Sequence, residues 1–183
     1  MKQEELNKIL LQHKAWLIGK EFGERAELSG ADLHHARLQG ADLRCADLRC
    51  ADLRHSDLQG ADLRHAGLQQ TDLRGADLRQ AILEHSDLRG ADLEDSDLQG
   101  AILRGADLDC ASWPLWCGSL KAYVDDRIAI QLLYHTLSVV QHSPYVSEDV
   151  KKALLSAENV RIANRFHRVG ECEEIKEWEE GTK

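Results

Sequence analysis

The sequence predicts a solenoid that is built from five-residue units. Leucine recurs at every fifth position from Leu28 to Leu108, seventeen times without a gap, and a small residue stands two positions before each leucine. Neither an α-helix with 3.6 residues per turn nor a flat strand of period two keeps such a pattern on one side. The chain must therefore turn a corner within each unit, and the units bury their leucines by stacking on one another.

The leucines form the predicted core of this solenoid. They are Leu28, Leu33, Leu38, Leu43, Leu48, Leu53, Leu58, Leu63, Leu68, Leu73, Leu78, Leu83, Leu88, Leu93, Leu98, Leu103 and Leu108. Burying each one contributes about 2 kcal/mol, and the small residue beside it prevents overpacking. Aspartate fills the position before the leucine in twelve of the seventeen units, where we expect it to face solvent.

The units A-D-L-R-C, A-D-L-R-H and A-D-L-Q-G resemble the A-(D/N)-L-x-x signature of the pentapeptide repeat family. The resemblance runs from Ala26 to roughly Trp113. It implies a mainly β solenoid, a right-handed quadrilateral β-helix with four units to a coil. Seventeen units then make about four coils, and a spacing of about 4.8 Å between strands gives a shaft about 20 Å long.

Both ends of an open β-helix need a cover, because they expose unpaired strand edges and leucine. We expect residues 1–22 to cap the first coil with a helix over 3–18, followed by Phe22. The β-helix takes residues 23–113, and Trp113 and Trp116 are predicted to plug its far end. Residues 114–183 form a C-terminal helical segment that ends in an acidic tail.

Apolar spacing in this segment predicts a helix over residues 125–141, which carries Ile128, Leu132 and Val139. Ser147 and the two acidic residues after it predict the start of a second helix that runs to about Ala157. A third helix, stopped by Gly170, is predicted from the apolar residues that follow.

Composition limits the classes of function. The formal net charge of −9 argues against direct binding to nucleic acid, because phosphate contacts need Lys and Arg. We expect no membrane span, since no apolar run approaches about 20 residues, and the first residues do not read as a secretory leader. Five cysteines without a framework spacing fit free thiols, so we expect a cytoplasmic protein.

Residues twenty apart share a column on the outside of a four-unit coil, so the surface can be mapped. One face carries six carboxylates against Arg54 and Arg74. They are the predicted partner-binding residues Asp32, Asp52, Asp72, Asp92, Glu94 and Asp95. The adjacent face has a balance of −3, so the shaft has an acidic edge that favours a basic partner. The alternative interpretation is that each Asp and the Arg beside it form solvated surface pairs that contribute little to stability or binding.

Ile82 and Ile102 replace aspartate at vertically adjacent positions on a neutral face. We expect this patch either to dock the helical segment around Leu132 to Val140 or to meet the same patch of a second copy in a homodimer. Harmless exposure is the alternative interpretation.

No cofactor, metal or catalytic site is predicted. The column of Cys45, His65 and His85 suggests metal ligands, but side chains stacked about 5 Å apart converge poorly on one ion. There is no phosphate-binding glycine loop, no G-x-S-x-G elbow and no H-E-x-x-H motif.

The sequence therefore predicts a non-enzymatic scaffold that presents an acidic solenoid face to a protein with a basic surface. The family resemblance adds an alternative, since some members mimic DNA and protect type II topoisomerases such as gyrase from fluoroquinolones. The short shaft and the interleaved arginines depart from such a mimic. A third alternative is an enzyme with its site in residues 113–183.

Overall fold

The computed structural model describes residues 1–112, 122–142 and 146–163, and the chain forms two compact units. The first unit is Met1–Asp125 and the second is Asp126–Lys183. The first unit contains a helix followed by a β-helix, and the described part of the second contains three helices.

The first helix, α1, spans Gln3–Leu17, close to the prediction. Its end is closed by Gly19, which has a φ of 70° in the left-handed region. The N–H of Gly19 donates to the carbonyl of Trp16 at 2.9 Å, and the N–H of Lys20 donates to that of Ala15 at 3.0 Å. These two bonds form a Schellman motif, which explains the glycine.

Each five-residue unit of the β-helix forms one short bridge and one turn. The bridge residue stands just before the leucine and pairs in parallel with the residue twenty positions on, as Asp32 does with Asp52. The N–H of Leu33 donates to the carbonyl of Asp52 at 2.8 Å, and the N–H of Asp52 donates to that of Ala31 at 2.9 Å. The strands are therefore single residues, and each twenty-residue coil has four corners.

Every corner is a type II turn. In one example, the N–H of Ala36 donates to the carbonyl of Leu33 at 2.9 Å, and His35, the third residue of the turn, has a φ of 57°. A positive φ at this position favours glycine. Yet only seven of the seventeen corners have glycine, and the other ten have His, Cys, Gln or Asp. Glycine alone therefore does not explain the corners.

The core is a stack of leucine layers. All seventeen leucines of the repeat are buried, each with 3% or less of its surface exposed. Where a hydroxyl replaces the small alanine, it bonds to the backbone, as when Ser56 Oγ donates to the carbonyl of Leu53 at 2.7 Å. Thr71 Oγ1 donates in the same way to the carbonyl of Leu48 at 2.8 Å. The core thus accepts these polar residues because their hydroxyls are satisfied.

Side chains of α1 close the open edge of the first coil. The N–H of Arg37 donates to Gln3 Oε1 at 2.9 Å, and Gln3 Nε2 donates to the carbonyl of Arg37 at 3.1 Å. The amide of Gln3 thus takes the place of a neighbouring backbone. The N–H of Ala26 donates to Nδ1 of the buried His13 at 3.0 Å. These bonds satisfy backbone groups that have no coil beneath them.

The prediction that Phe22 belongs to this cap is wrong. Phe22 is 82% exposed, whereas Leu6 and His13 of α1 are buried. The chain folds back against the end of α1 so closely that a Cβ at Gly23 would lie 2.1 Å from the backbone nitrogen of Trp16. The chain therefore packs against α1 through its backbone, and the side chain of Phe22 remains on the outside.

The β-helix extends beyond the predicted boundary at residue 113. Tyr123 pairs with Ile102, which continues the column after an offset of 21 residues in place of 20. The N–H of Leu103 donates to the carbonyl of Tyr123 at 2.8 Å. Asp125 Oδ2 then accepts a bond of 2.6 Å from the N–H of Gly105. The predicted plug residues Trp113 and Trp116 lie outside the described residues.

The second unit contains α2 at Asp126–His142, α3 at Glu148–Leu154 and α4 at Ala157–Ala163. The helix α2 matches the prediction over 125–141, whereas the second predicted helix ends at Leu154 and not near Ala157. Ser147 precedes α3 but makes no capping bond through its side chain. The helices share a buried cluster of Tyr134, Leu137, Val140, Leu155 and Val160. None of the described helices is long and apolar enough to cross a membrane.

Candidate functional site

The bridge residues form four columns along the outside of the β-helix. Column 1 is Glu27, Asp47, Gly67, Asp87 and Asp107; column 2 is Asp32, Asp52, Asp72, Asp92 and Ser112; column 3 is Arg37, Asp57, Asp77 and Asp97; column 4 is Asp42, Asp62, Ile82, Ile102 and Tyr123. The columns place neighbouring carboxylates one coil apart, so their charges must be balanced by cations.

That balance begins within each unit. In column 2, Arg54 Nε donates to Asp52 Oδ1 at 2.8 Å, and Arg54 Nη2 donates to Asp52 Oδ2 at 2.5 Å. The backbone N–H of Arg54 also donates to Asp52 Oδ1, at 3.1 Å. The hydrogen bond from the Arg54 side chain is the main reason that the pKa of Asp52 falls to about 2. The same bidentate pairing joins Asp42 to Arg44, Asp47 to Arg49, Asp62 to Arg64, Asp72 to Arg74, Asp77 to Arg79 and Asp87 to Arg89.

The same arginines also reach the next coil. Arg54 Nε lies 3.6 Å from Asp72 Oδ2, and Arg74 Nε lies 3.5 Å from Asp92 Oδ2. Arg44, Arg79 and Arg89 make the same contact with Asp62, Asp97 and Asp107. Column 2 is therefore an ion ladder in which aspartate and arginine alternate from Asp52 to Asp92. Most of these side chains are partly exposed to solvent, so each pair contributes little to the stability of the fold.

The six predicted partner-binding carboxylates are consequently not equivalent. Both Asp52 and Asp72 lie inside the ladder. Asp72 lies between the guanidinium groups of Arg54 and Arg74, and Asp52 is bound by that of Arg54. Asp32 lies at the opposite end of the column, with 75% of its side chain exposed and the terminal ammonium of Met1 4.0 Å from its Oδ2.

The ladder ends at Asp92, and the residues after it change character. Glu94 stands where Arg54 and Arg74 stand in the two coils before it, and Asp95 occupies the next corner; both are exposed. Asp92 still forms an ion pair with Arg74 and accepts a hydrogen bond from the hydroxyl of Ser112. We call Asp92, Glu94 and Asp95 the distal acidic surface. It is the part of column 2 where negative charge exceeds positive charge.

Column 4 contains the apolar patch that the sequence indicates. Ile82 and Ile102 pair directly and are partly buried, and Tyr123 follows them in the same column with 65% of its surface exposed. The sequence did not indicate Tyr123, because it lies outside the five-residue period. The docking or dimer role of the patch stays a prediction.

Histidines stack at the corners without forming a metal site. His65 and His85 have parallel rings 5.3 Å apart, and His35 and His55 have rings 5.5 Å apart. Within the described residues, no group of three or more His, Cys, Asp or Glu side chains could hold a metal ion. Gly105 accommodates this stacking, because a Cβ there would lie 2.4 Å from Nδ1 of His85.

The repeat region is similar to a known family of proteins. The family model described as pentapeptide repeats matches residues 26–64, 56–95 and 71–109 in 8 copies. Residues 26–109 therefore carry the repeats that this family model describes. Among curated proteins, none matches the sequence significantly.

Three solved structures illustrate the similarity. A pentapeptide repeat protein from the thylakoid lumen of Arabidopsis thaliana is 28% identical over 57% of this chain and 74% of its own, with a TM-score of 0.40. One from Nostoc is 28% identical over 65% of this chain and 94% of its own, with a TM-score of 0.38. The plasmid-mediated fluoroquinolone resistance protein QnrB1, in a trypsin-treated form, is 19% identical over 60% of this chain and 65% of its own, with a TM-score of 0.29.

Proposed function

We propose that this pentapeptide repeat protein is a non-enzymatic, cytoplasmic scaffold that binds a basic protein through its distal acidic surface. Its net charge of −9 favours a basic partner in general. The positions of the carboxylates indicate which surface of the β-helix would bind that partner.

The observation that carries the proposal is the end of the ladder in column 2. Arg54 and Arg74 neutralise the aspartates beside them, whereas Glu94 places a further carboxylate at the equivalent position in the next coil. Asp95 adds another at the exposed corner. A partner with clustered Lys or Arg side chains therefore gains most from contacts near these two residues.

The ladders weigh against the alternative of DNA mimicry. A mimic of duplex DNA needs rows of uncompensated negative charge that resemble phosphates. Along column 2, however, a guanidinium lies within 3.6 Å of the carboxylates of both Asp52 and Asp72. We therefore expect purified protein to leave the supercoiling activity of gyrase unchanged, with or without a fluoroquinolone. Inhibition or protection in that assay would favour mimicry over the scaffold.

Acid–base catalysis by the ladder carboxylates is also disfavoured. Hydrogen bonds from Arg74 and Arg89 hold the pKa values of Asp72 and Asp87 below their usual range, so both stay ionised near neutral pH. A general acid at this pH requires a raised pKa. The remaining alternative, an enzyme site within residues 113–183, falls partly on segments outside the described residues.

Charge reversal at Glu94 and Asp95 tests the proposed surface. The double variant Glu94→Lys and Asp95→Lys should fold normally, because both side chains are exposed and lie outside the ladder. In affinity capture from native cytoplasm, basic proteins that bind the wild type should be lost with this variant. Their binding should also weaken as salt is raised, since exposed charges are screened beyond about 8 Å at physiological ionic strength.

The matched control is Glu21→Lys with Glu24→Lys. It makes the same change in net charge at exposed positions near α1. Capture by this control should equal that of the wild type. A basic partner that binds the Glu94 and Asp95 variant as well as the wild type would contradict the assignment of the surface.

A further inference from the structure

We propose that a cleft around Gly67 binds a carboxylate-bearing ligand at the place where the other ladders hold an aspartate. The cleft lies on column 1, shares no residue with the distal acidic surface, and has a volume of about 390 Å³. Its lining includes Arg25, Arg49, His65, Gly67, Gln69 and His85. Two guanidinium groups and two imidazoles thus border a position where the repeat lacks its usual acid.

The register of the repeat defines what is missing. An arginine that follows an aspartate by two positions also reaches the aspartate of the next coil in five cases, at 3.5 to 4.0 Å. By the same register Arg49 should reach residue 67, which is glycine. Arg49 therefore binds Asp47 through Nε and Nη2 and has no column 1 carboxylate to reach in the next coil. A guanidinium has five N–H donors, so Arg49 can still bind a second carboxylate.

A second interruption of the ladders shows why the open space matters. Arg64 likewise faces a residue without a carboxylate, Ile82, in column 4. There the isoleucine side chain occupies the position of the absent aspartate. At Gly67 there is no side chain, so the space beside Arg49 is bordered only by neighbouring side chains, among them the amide of Gln69.

The walls of the vacant position carry complementary groups. A Cβ built on Gly67 would lie 3.6 Å from Cγ of Arg49 and 3.2 Å from Oε1 of Gln69, so these two side chains flank it directly. Gln69 Nε2 donates to Asp87 Oδ2 at 2.5 Å, which leaves Gln69 Oε1 as a buried acceptor without a hydrogen-bond partner. An unsatisfied buried acceptor is unfavourable, and Oε1 has less than 1 Å² of accessible surface, so a ligand donor pairs with it only when the Gln69 side chain turns toward the cleft.

A carboxylate ligand can bind in the cleft although column 1 contains aspartates, because these aspartates are already paired with arginines. Asp47 has 4% of its side chain exposed and is bound by Arg49, and Asp87 is bound in bidentate fashion by Arg89. Both carboxylates are therefore compensated before a ligand arrives. The ligand class that fits is a carboxylate with an N–H or O–H donor nearby. An acidic side chain of a polypeptide and a small carboxylic acid share this chemistry.

The test titrates the intact protein with two probes and follows nuclear magnetic resonance signals. The probes are succinate and an acetylated, amidated peptide with one central aspartate, both at constant ionic strength. Saturable shifts of the Gly67 amide and of the His65 and His85 ring protons are expected. Saturation by succinate identifies a site for small acids, whereas saturation by the peptide alone identifies a site for acidic side chains; either result supports the proposal.

Two variants remove the site in different ways. Gly67→Asp supplies the carboxylate from the chain itself and should weaken binding by about tenfold or more while the protein melts at an equal or higher temperature. Arg49→Gln removes the guanidinium and should weaken binding similarly. Ile82→Asp is the matched control, because it adds the same charge beside Arg64 and leaves the cleft intact. Shifts that never saturate, or that are equal in the wild type and Gly67→Asp, would overturn the proposal.

Discussion

At the scale of single residues, the protonation of His13 determines how the N-terminal edge of the β-helix is closed. Its Nδ1 accepts the N–H of Ala26, so the ring must be neutral with its proton on Nε2. Burial lowers the pKa of His13, and Arg25 and Arg44 act in the same direction. The backbone of Arg44 and the carboxylate of Asp42 act against them. The balance keeps the ring uncharged and able to accept the bond.

This arrangement predicts that acid loosens the cap. The pKa of His13 is below 6.5 in the folded state, so its stabilising effect is complete above pH 6.5 and is lost as pH falls through the folded value. Protonation would set two donors against each other, which costs about 1–3 kcal/mol. His13→Asn keeps an acceptor without titrating. Its melting temperature should therefore fall less than that of the wild type between pH 7.5 and 5.5, and parallel pH profiles would contradict the prediction.

The corner residues lead to a second prediction at this scale. Gln80 occupies a left-handed corner with a φ of 59°, whereas Gln99 lies one position earlier in its own turn and has no positive φ. A left-handed conformation costs a residue other than glycine about 1–2 kcal/mol, and glycine elsewhere costs about 0.5–1 kcal/mol. Gln80→Gly should thus stabilise the protein and Gln99→Gly should destabilise it. Urea unfolding should show opposite shifts; shifts of the same sign would refute the role of the corner.

At the scale of elements, one unit of the β-helix alternates between an inward and an outward position from residue to residue. Leu68 is fully buried in the leucine stack, and its neighbour Gly67 lies at the surface beside Arg49. The two positions differ in environment although they are adjacent in sequence. The same substitution at each should therefore have opposite consequences.

Leu68→Asp should prevent folding, because a buried charge without a partner costs several kcal/mol and no cap lies near enough to relax around it. We expect the variant to lose the circular dichroism of the wild type or to become insoluble. Gly67→Asp is the natural control and should keep the spectrum and melt at an equal or higher temperature. A Leu68→Asp protein with an unchanged melting curve would show that this leucine does not support the core.

At the scale of the whole molecule, self-association is the open question that the apolar patch raises. Ile82 and Ile102 lie side by side, and the exposed Tyr123 extends the patch. If the patch binds a second copy, Ile82→Lys with Ile102→Lys should convert dimers into monomers in sedimentation velocity. Gln12→Lys with Gln70→Lys adds the same charge at exposed positions outside the patch and should leave the sedimentation unchanged. A wild-type protein that sediments as a monomer at all concentrations would exclude the dimer.

How far the sequence predicts this molecule depends on which parts repeat. The inward leucines follow from a strict five-residue period, and the column that pairs Ile82 with Ile102 follows from the four-unit coil. A hydrophobic residue near an end of the repeat suggests a cap, but the chain packs on α1 through its backbone at Gly23 and Phe22 is exposed. Tyr123 could not be found, because it returns to the column only after residues that break the period.

The candidate site was predictable only in part for a related reason. The sequence locates every carboxylate of column 2, but counting charges treats Asp52 and Glu94 alike. The side chains distinguish them, since a guanidinium two residues away binds Asp52 and no arginine occupies that position after Asp92. The spacing Asp-x-Arg is the signal that indicates the ladders, and its interruption at Gly67 is the signal for the cleft.

The alternation of charge in column 2 has a consequence for how a partner approaches. Closely spaced opposite charges produce potentials that cancel within a short distance. A molecule in solution therefore experiences little electrostatic potential from the middle of this column. Glu94 takes the place of the arginine after Asp92 and Asp95 adds a second acid, so negative charge is in excess here and its potential extends further from the protein. If the proposed basic partner binds here, we expect this potential to orient it toward one end of the column before contact. The ladder thus influences how a partner approaches, because its own charges cancel and leave the excess negative charge near Glu94 and Asp95 to set the orientation.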